Sequence, residues 1–326
     1  MWWSTIGVIV ALTFSLLAAP LPVEAQPAHV PRIGVLAVEG GIVSTPERFQ
    51  AEFREALQER GYVEGQNILV DHRWVTAGQI ERLDDLAVEL VRLQVDLLVA
   101  FNTPAAHAAK RATTAIPIVF NAGDPVGTGL VASLARPGGN VTGVGGIAAE
   151  LGGKSLDLLR ELLPTVTHVA ALVHATDPFA RPLLEHIESA ARSLGVRIQP
   201  VVVRGAEEFD DAFATMAQEG AGAVIIQPIL ATPHTAALAV QHHLPAISSP
   251  LAFVEAGGLM TYASNRGGLW RGLATYVDKI LKGAKPADLP VERPTKFDLV
   301  INLKTAQALG LTIPPTLLFQ ADKVIQ

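Results

Sequence analysis

The stretch Asp96–Asp124 reads DLLVAFNTPAAHAAKRATTAIPIVFNAGD, and it decides the fold. Leu97–Phe101 and Ile116–Phe120 are short apolar runs without polar alternation, the pattern of strands buried on both faces of a parallel sheet. Between them Thr103 and Pro104 open an alanine-rich helix, the threonine as N-cap and the proline at the first helical position. Strand, helix and strand in this order make a parallel crossover.

The same alternation extends in both directions. Upstream, PRIGVLAV (31–38) is a buried strand, ERFQAEFREALQERG (47–61) a helix with Phe49, Phe53, Ala56 and Leu57 on one face, NILVDHRWV (67–75) an alternating strand, and IERLDDLAVELVRLQ (80–94) a second amphipathic helix. After the Pro/Gly-rich LARPGGNVTGVGG (134–146) the series starts again. Helices over KSLDLLRELL, LLEHIESAARSLG, EEFDDAFATMAQEG and HTAALAVQHH alternate with strands over HVAALVH, VRIQPVVV, AGAVIIQ and PAISS. The expected fold class is therefore α/β, with two doubly wound parallel-sheet lobes, a hinge and a central cleft. GGLMTYASN (257–265), the helix over 267–283 and the extended tail are too much chain for either lobe alone. The expected division is 31–143 with 257–283 in lobe 1, and 144–256 with 284–326 in lobe 2.

Composition narrows the function. The chain has 326 residues, a formal net charge of −6 spread along its length, and no cysteine. No basic stripe is present to neutralise nucleic-acid phosphates, so no nucleic-acid partner is expected. The lack of cysteine excludes thiolate metal sites, a cysteine nucleophile and a lipidated cysteine. An apolar run from Ile6 to Ala19 followed by Val23-Glu24-Ala25 reads as a secretory signal (1–25) cleaved near Ala25, although no Lys or Arg precedes it. The expectation is an exported, periplasmic protein that is monomeric once processed and is not a lipoprotein.

Gly127–Ala132, GTGLVA, matches the G-x-G-x-x-G/A fingerprint of dinucleotide-binding turns. That turn must begin at a strand end and lead into a full helix, whereas six residues separate Phe120 from Gly127 and Arg136-Pro137-Gly138-Gly139 stops any helix after two turns. No Walker loop, G-x-S-x-G elbow or H-E-x-x-H helix occurs, and no cofactor, metal or catalytic residue is expected.

What remains suits the holding of a small molecule. Thr103, with Asn102 beside it, either caps its helix or offers that helix N-terminus to a carboxylate. Asp124 either receives a ligand ammonium or caps a short helix around GTGLVASL. Glu39 after the first strand is a further candidate for an ammonium partner. At the strand ends of the second lobe lie His174, Thr176 and Asp177, then Gln227, then Ser249, with Tyr262 in the segment crossing back. Trp74 and Tyr262 are the aromatic residues near expected strand ends, suited to stacking on a planar ligand.

The combination of T-P-A-A (103–106), D-P-V-G (124–127), P-G-G-N-V-T-G (137–143) and I-N-L-K-T-A (301–306), with GGLMTYASN and the terminal ADKVI, resembles the ABC-transporter substrate-binding protein family, in the branch with tryptophan- and tyrosine-uptake proteins. The resemblance implies a type I periplasmic-binding-protein fold and a small organic ligand, an amino acid or carboxylate, delivered to an ABC permease. It implies Thr103 and Asp124 as cleft residues. Val38-Glu39-Gly40-Gly41 and His174-Ala175-Thr176-Asp177-Pro178 depart from the family pattern at two strand ends, so the ligand itself is not carried over. The rival readings are a ligand-sensing receptor or regulator domain of the same fold and, further off, a secreted enzyme.

Overall fold

Strands that are apolar on both faces must be covered on both sides. That requirement organises the computed structural model, which describes residues 29–40 and 45–326. The stretch read as an export signal lies outside the described residues. In chain order the first half comprises β1 (Arg32–Val38), α1 (Pro46–Gln58), β2 (Leu69–Val75), α2 (Leu83–Arg92), β3 (Leu97–Phe101), α3 (Thr103–Ala112), β4 (Ile118–Ala122) and β5 (Val141–Gly145). The second half runs α4 (Ala148–Leu162), β6 (His168–His174), α5 (Ala180–Leu194), β7 (Arg197–Val203), α6 (Phe209–Gln218), β8 (Val224–Ile226), α7 (Pro233–Gln241) and β9 (Ala246–Ile247). It is completed by α8 (Leu251–Glu255), β10 (Met260–Ser264), α9 (Arg266–Leu281), β11 (Phe297–Asn302), α10 (Leu303–Ala308), α11 (Pro315–Gln320) and β12 (Lys323–Ile325).

The strands form two sheets. The first has the order β2-β1-β3-β4-β5 and is parallel throughout. The second has the order β12-β11-β10-β9-β8-β6-β7, parallel except where β10 meets β11. In both, the chain starts inside the sheet, steps outward one strand and then doubles back, which is the doubly wound path expected of each lobe.

Period-two alternation divides each core into two layers. Ile33, Val35 and Ala37 of β1 pack with Phe49 and Phe53 of α1 and with Trp270 and Leu273 of α9. Leu36 of β1 and Leu98 of β3 turn to the opposite face, against Leu83, Ala87 and Leu90 of α2. In the second lobe Val169, Ala171 and Val173 of β6 are covered by Leu156 and Leu159 of α4 and by Leu183 and Ile187 of α5.

Strand pairing corrects the expected division of the chain. β10 lies between β9 and β11, so residues 257–264 belong to the second lobe and only α9 returns to the first. The chain then stays with lobe 1 beyond residue 283. Thr142 Oγ1 donates to the Leu289 carbonyl at 2.7 Å, and Val144 bridges Glu292 in parallel. β5 also runs two residues past the expected limit at 143. Hydrogen-bond ladders decide sheet membership, and a single-strand pattern does not reveal its partner. The three crossings therefore fall at 146–147, 265 and 293–296. They are tied together by the bonds Gly145 N–H to Glu292 O (2.9 Å) and Asn265 N–H to Lys296 O (2.9 Å).

Candidate functional site

In a doubly wound sheet, ligands bind beyond the strand C-termini where the winding reverses. Those points are the ends of β1 and β3 in the first lobe and of β6 and β8 in the second. The two lobes meet there with the cleft closed. His174 Nε2 lies 2.9 Å from the Ala77 carbonyl of lobe 1 and 2.7 Å from the Arg204 carbonyl of its own lobe, so this nitrogen carries the proton. Nδ1 accepts the Thr176 N–H at 3.2 Å. At the rim, Arg48 Nη1 and Glu255 Oε2 form an ion pair of 2.7 Å between the lobes, with both side chains about one-third exposed or more. Screening keeps such a pair near 1 kcal/mol or below, so Arg48→Ala should weaken ligand binding less than about fivefold in calorimetric titration.

Behind this rim is a cavity of about 110 Å³. One wall is built from helix N-termini. Asn102, at φ 74 and ψ 154, adopts a conformation that side chains rarely enter, and its Nδ2 donates to the Val38 carbonyl at 2.9 Å. Helix α3 begins at Thr103, one residue earlier than its reading as N-cap required, and Thr103 Oγ1 accepts the Gly123 N–H at 3.2 Å. Neither side chain caps the helix, so its first-turn N–H groups keep their donor capacity at the cavity. The fifteen-residue α4 starts in the same wall, at Gly146, Ile147 and Ala148, again with no side-chain cap. Two N-termini without side-chain caps, that of α4 with its Ala148 N–H already donated to the Gly123 carbonyl at 3.1 Å, add their partial positive charges at one place, which favours an anion.

Asp177 supplies the opposite charge. It is only 4% exposed and lines the cavity. Its Oδ1 accepts the Phe179 N–H at 2.9 Å and its Oδ2 accepts Gln227 Nε2–H at 2.6 Å. Burial pushes its acid up to about 7, against the pull of those two hydrogen bonds. Ile147, Leu151, Phe179, Ile229, Leu251 and Leu269 make the rest of the wall largely apolar.

Of the residues singled out from the sequence, Asn102, Thr103, Asp177 and Ser249 come together around this cavity, with Gln227 directly behind Asp177. The others stand elsewhere. Asp124 accepts the Gly127 N–H at 2.8 Å in a run of turns, and no helix forms around GTGLVASL. Glu39 lies at the end of β1, where its N–H donates to Val75 O, and is not in the cavity wall. Trp74 stacks on His72 with ring centroids 5.6 Å apart and meets the edge of Phe49, partly buried against the lobe 1 core. Tyr262 stacks on Phe297 at 5.8 Å, and Thr176 is exposed. Sequence reasoning missed Asn121, Gly123, Phe179 and the apolar wall. The sharpest available signal was position, because Asn121–Gly123 immediately follow the Ile118–Phe120 strand run.

The comparisons with known proteins agree with this geometry. A family model described as ABC transporter substrate binding protein matches residues 40–325. A tyrosine-binding protein of Clostridioides difficile is 26% identical over 265 residues, covering 79% of this chain and 75% of that one. Among solved structures, a conserved domain protein from Vibrio cholerae superposes with a TM-score of 0.82 at 26% identity, over 91% of this chain and 100% of that one. An ABC domain from Streptococcus pneumoniae in complex with L-Trp gives 0.79 at 29% identity, over 90% and 100%.

Proposed function

Because the chain belongs to the ABC transporter substrate-binding protein family, we propose that it is a periplasmic binding protein that captures an α-amino acid with a large apolar or aromatic side chain and delivers it to an ABC permease. The observation that carries this reading is the pairing of charges in the cavity. A buried carboxylate at Asp177 stands in the same wall system as two uncapped helix N-termini. The N-termini suit the ligand's carboxylate, Asp177 suits its ammonium, and the apolar wall around Phe179 and Leu151 suits its side chain. The tyrosine- and tryptophan-binding relatives support a ligand of that class. No step of bond making or breaking is assigned to any residue. The two lobes close over the ligand, and the closed form is what the permease meets.

The test is a thermal-shift series of L-amino acids against their des-amino and amide analogues. A matching amino acid at a hundredfold excess over its Kd should raise the unfolding midpoint by about 5 °C or more, equivalent to ~2.7 kcal/mol. L-Trp, L-Tyr, L-Phe and L-Leu are expected at the top of the series. Equal shifts from indole-3-propionate and L-Trp would sink the assignment of Asp177 to an ammonium. Recovery of the tagged protein from the cytosol and not from the periplasmic fraction would overturn the transport role.

A further inference from the structure

We infer that Gln227 is the positioning residue of the cation end of the cleft, fixing the Asp177 carboxylate for the ligand's amino group and joining it to the His174 contact that bridges the lobes. The inference rests on the amino-acid reading above and adds a residue that does not itself line the cavity.

Gln227 is fully buried at the end of β8. Both ends of its amide are engaged. Oε1 accepts the His174 backbone N–H at 2.6 Å, and Nε2 donates to Asp177 Oδ2 at 2.6 Å. The orientation is unambiguous, since a backbone N–H faces only an acceptor and a carboxylate is best faced by a donor. With Oδ1 held by Phe179 N–H, the carboxylate is fixed at both oxygens while lone pairs remain for a ligand. The same amide holds the backbone of His174, whose ring reaches Ala77 in the other lobe. Carboxylate orientation and lobe contact are thus set by one side chain.

Among the described residues, no nearby charge does this work instead. His174 directs its ring at the Ala77 and Arg204 carbonyls. On α5, Arg181 pairs with Glu185 and reaches Gly127 O. Across the cleft, Asp124 holds Gly127 N–H, and at the start of α4 Glu150 pairs with Arg293. Against the burial of Asp177 stand only the hydrogen bonds from Phe179 and Gln227. Removing the second of these would raise its acid further, so a larger share would be protonated at neutral pH.

The experiment compares wild type, Gln227→Met and Gln227→Glu, with L-Trp and indole-3-propionate as probes, from pH 6 to pH 9. Gln227→Met keeps the volume and loses both bonds. It should bind L-Trp about tenfold or more weaker at pH 7, with a smaller deficit at pH 9 and little change for indole-3-propionate. Gln227→Glu, while protonated, keeps both contacts and should match wild type at pH 6, then diverge as the pH rises. In the ligand-free proteins, the pH range over which stability falls should extend upward in Gln227→Met, a shift that a purely structural role would not produce. Equal losses for both probes at every pH, or a ligand-free pH profile unchanged by Gln227→Met, would overturn the inference. Failure of wild type to prefer L-Trp over indole-3-propionate would instead overturn the ammonium assignment beneath it.

Discussion

Asp177→Asn is expected to lower affinity for an amino-acid ligand at least about hundredfold, ~2.7 kcal/mol, and to stabilise the ligand-free protein at alkaline pH. The two effects share a cause. A carboxylate that is 4% exposed, with the neutral donors of Phe179 and Gln227 as its partners among the described residues, is poorly solvated, and this is why its acid moves from 3.8 up to about 7. Between those values the native state holds a proton that the unfolded chain has released, so stability falls as pH rises through that range and the full cost is present above pH 7. A shift of roughly three units bounds that cost at about 4 kcal/mol. Asparagine removes the charge, but its amide nitrogen meets the Gln227 amide nitrogen, and that conflict returns about 1–3 kcal/mol. Denaturant titration should therefore show a net gain of order 1–2 kcal/mol at pH 8 and none at pH 4. The ligand's ammonium supplies the missing countercharge in wild type. Its affinity should accordingly drop by up to about tenfold per pH unit below 7, while the variant shows a flat profile. Undiminished calorimetric affinity in Asp177→Asn would remove the carboxylate from the site.

The elements of this protein were more legible than their partnerships. Apolar runs such as Leu97–Phe101 and His168–His174 announce buried parallel strands, because a residue covered on both faces has no polar position to show. The winding reversal then locates Asn102, Thr103, Asp177 and Gln227 near the cleft, since strand C-termini fix position without any knowledge of side-chain direction. Direction is what failed. Trp74 and Tyr262 stand near strand ends like the true lining residues, yet both pack, partly buried, against the cores of their own lobes. A one-residue change of parity reverses the face, and parity is invisible until the register is known. The apolar wall was hidden for another reason. Leu151 and Leu269 occupy first turns of helices whose remaining apolar residues are core, so their letters carry no mark of the cavity. The crossing of the chain at residue 265 and not at 257 depended on the antiparallel pairing of β10 with β11, a contact between segments more than thirty residues apart.

NAGD at the end of the quoted stretch contributes through its glycine. Gly123→Val is expected to leave lobe 1 folded and to weaken ligand binding about hundredfold by preventing closure. A Cβ on Gly123 would lie 2.5 to 2.8 Å from three atoms of the Phe179 ring, which belongs to the opposite lobe. That ring is 4% exposed and wedged among Ala149, Leu183 and their neighbours, so it has little room to withdraw. Gly123 has no left-handed φ, and the three atoms nearest to a Cβ there all belong to Phe179. The tightest strain therefore arises where the closed lobes meet. Overpacking of this kind costs about 1–3 kcal/mol, and the cost falls wholly on the open-to-closed equilibrium that the ligand must drive. Gly143 gives the contrast, because a Cβ there would stand 2.0 Å from the Phe120 carbonyl of the neighbouring strand in the same sheet. Gly143→Val should lower the unfolding midpoint of the ligand-free protein, whereas Gly123→Val should leave it within about 3 °C of wild type. Small-angle scattering with saturating ligand should show wild type contracting and Gly123→Val retaining the ligand-free radius of gyration. Contraction of both to the same value, with equal affinities, would mean that the Phe179 ring does not mark the closed state.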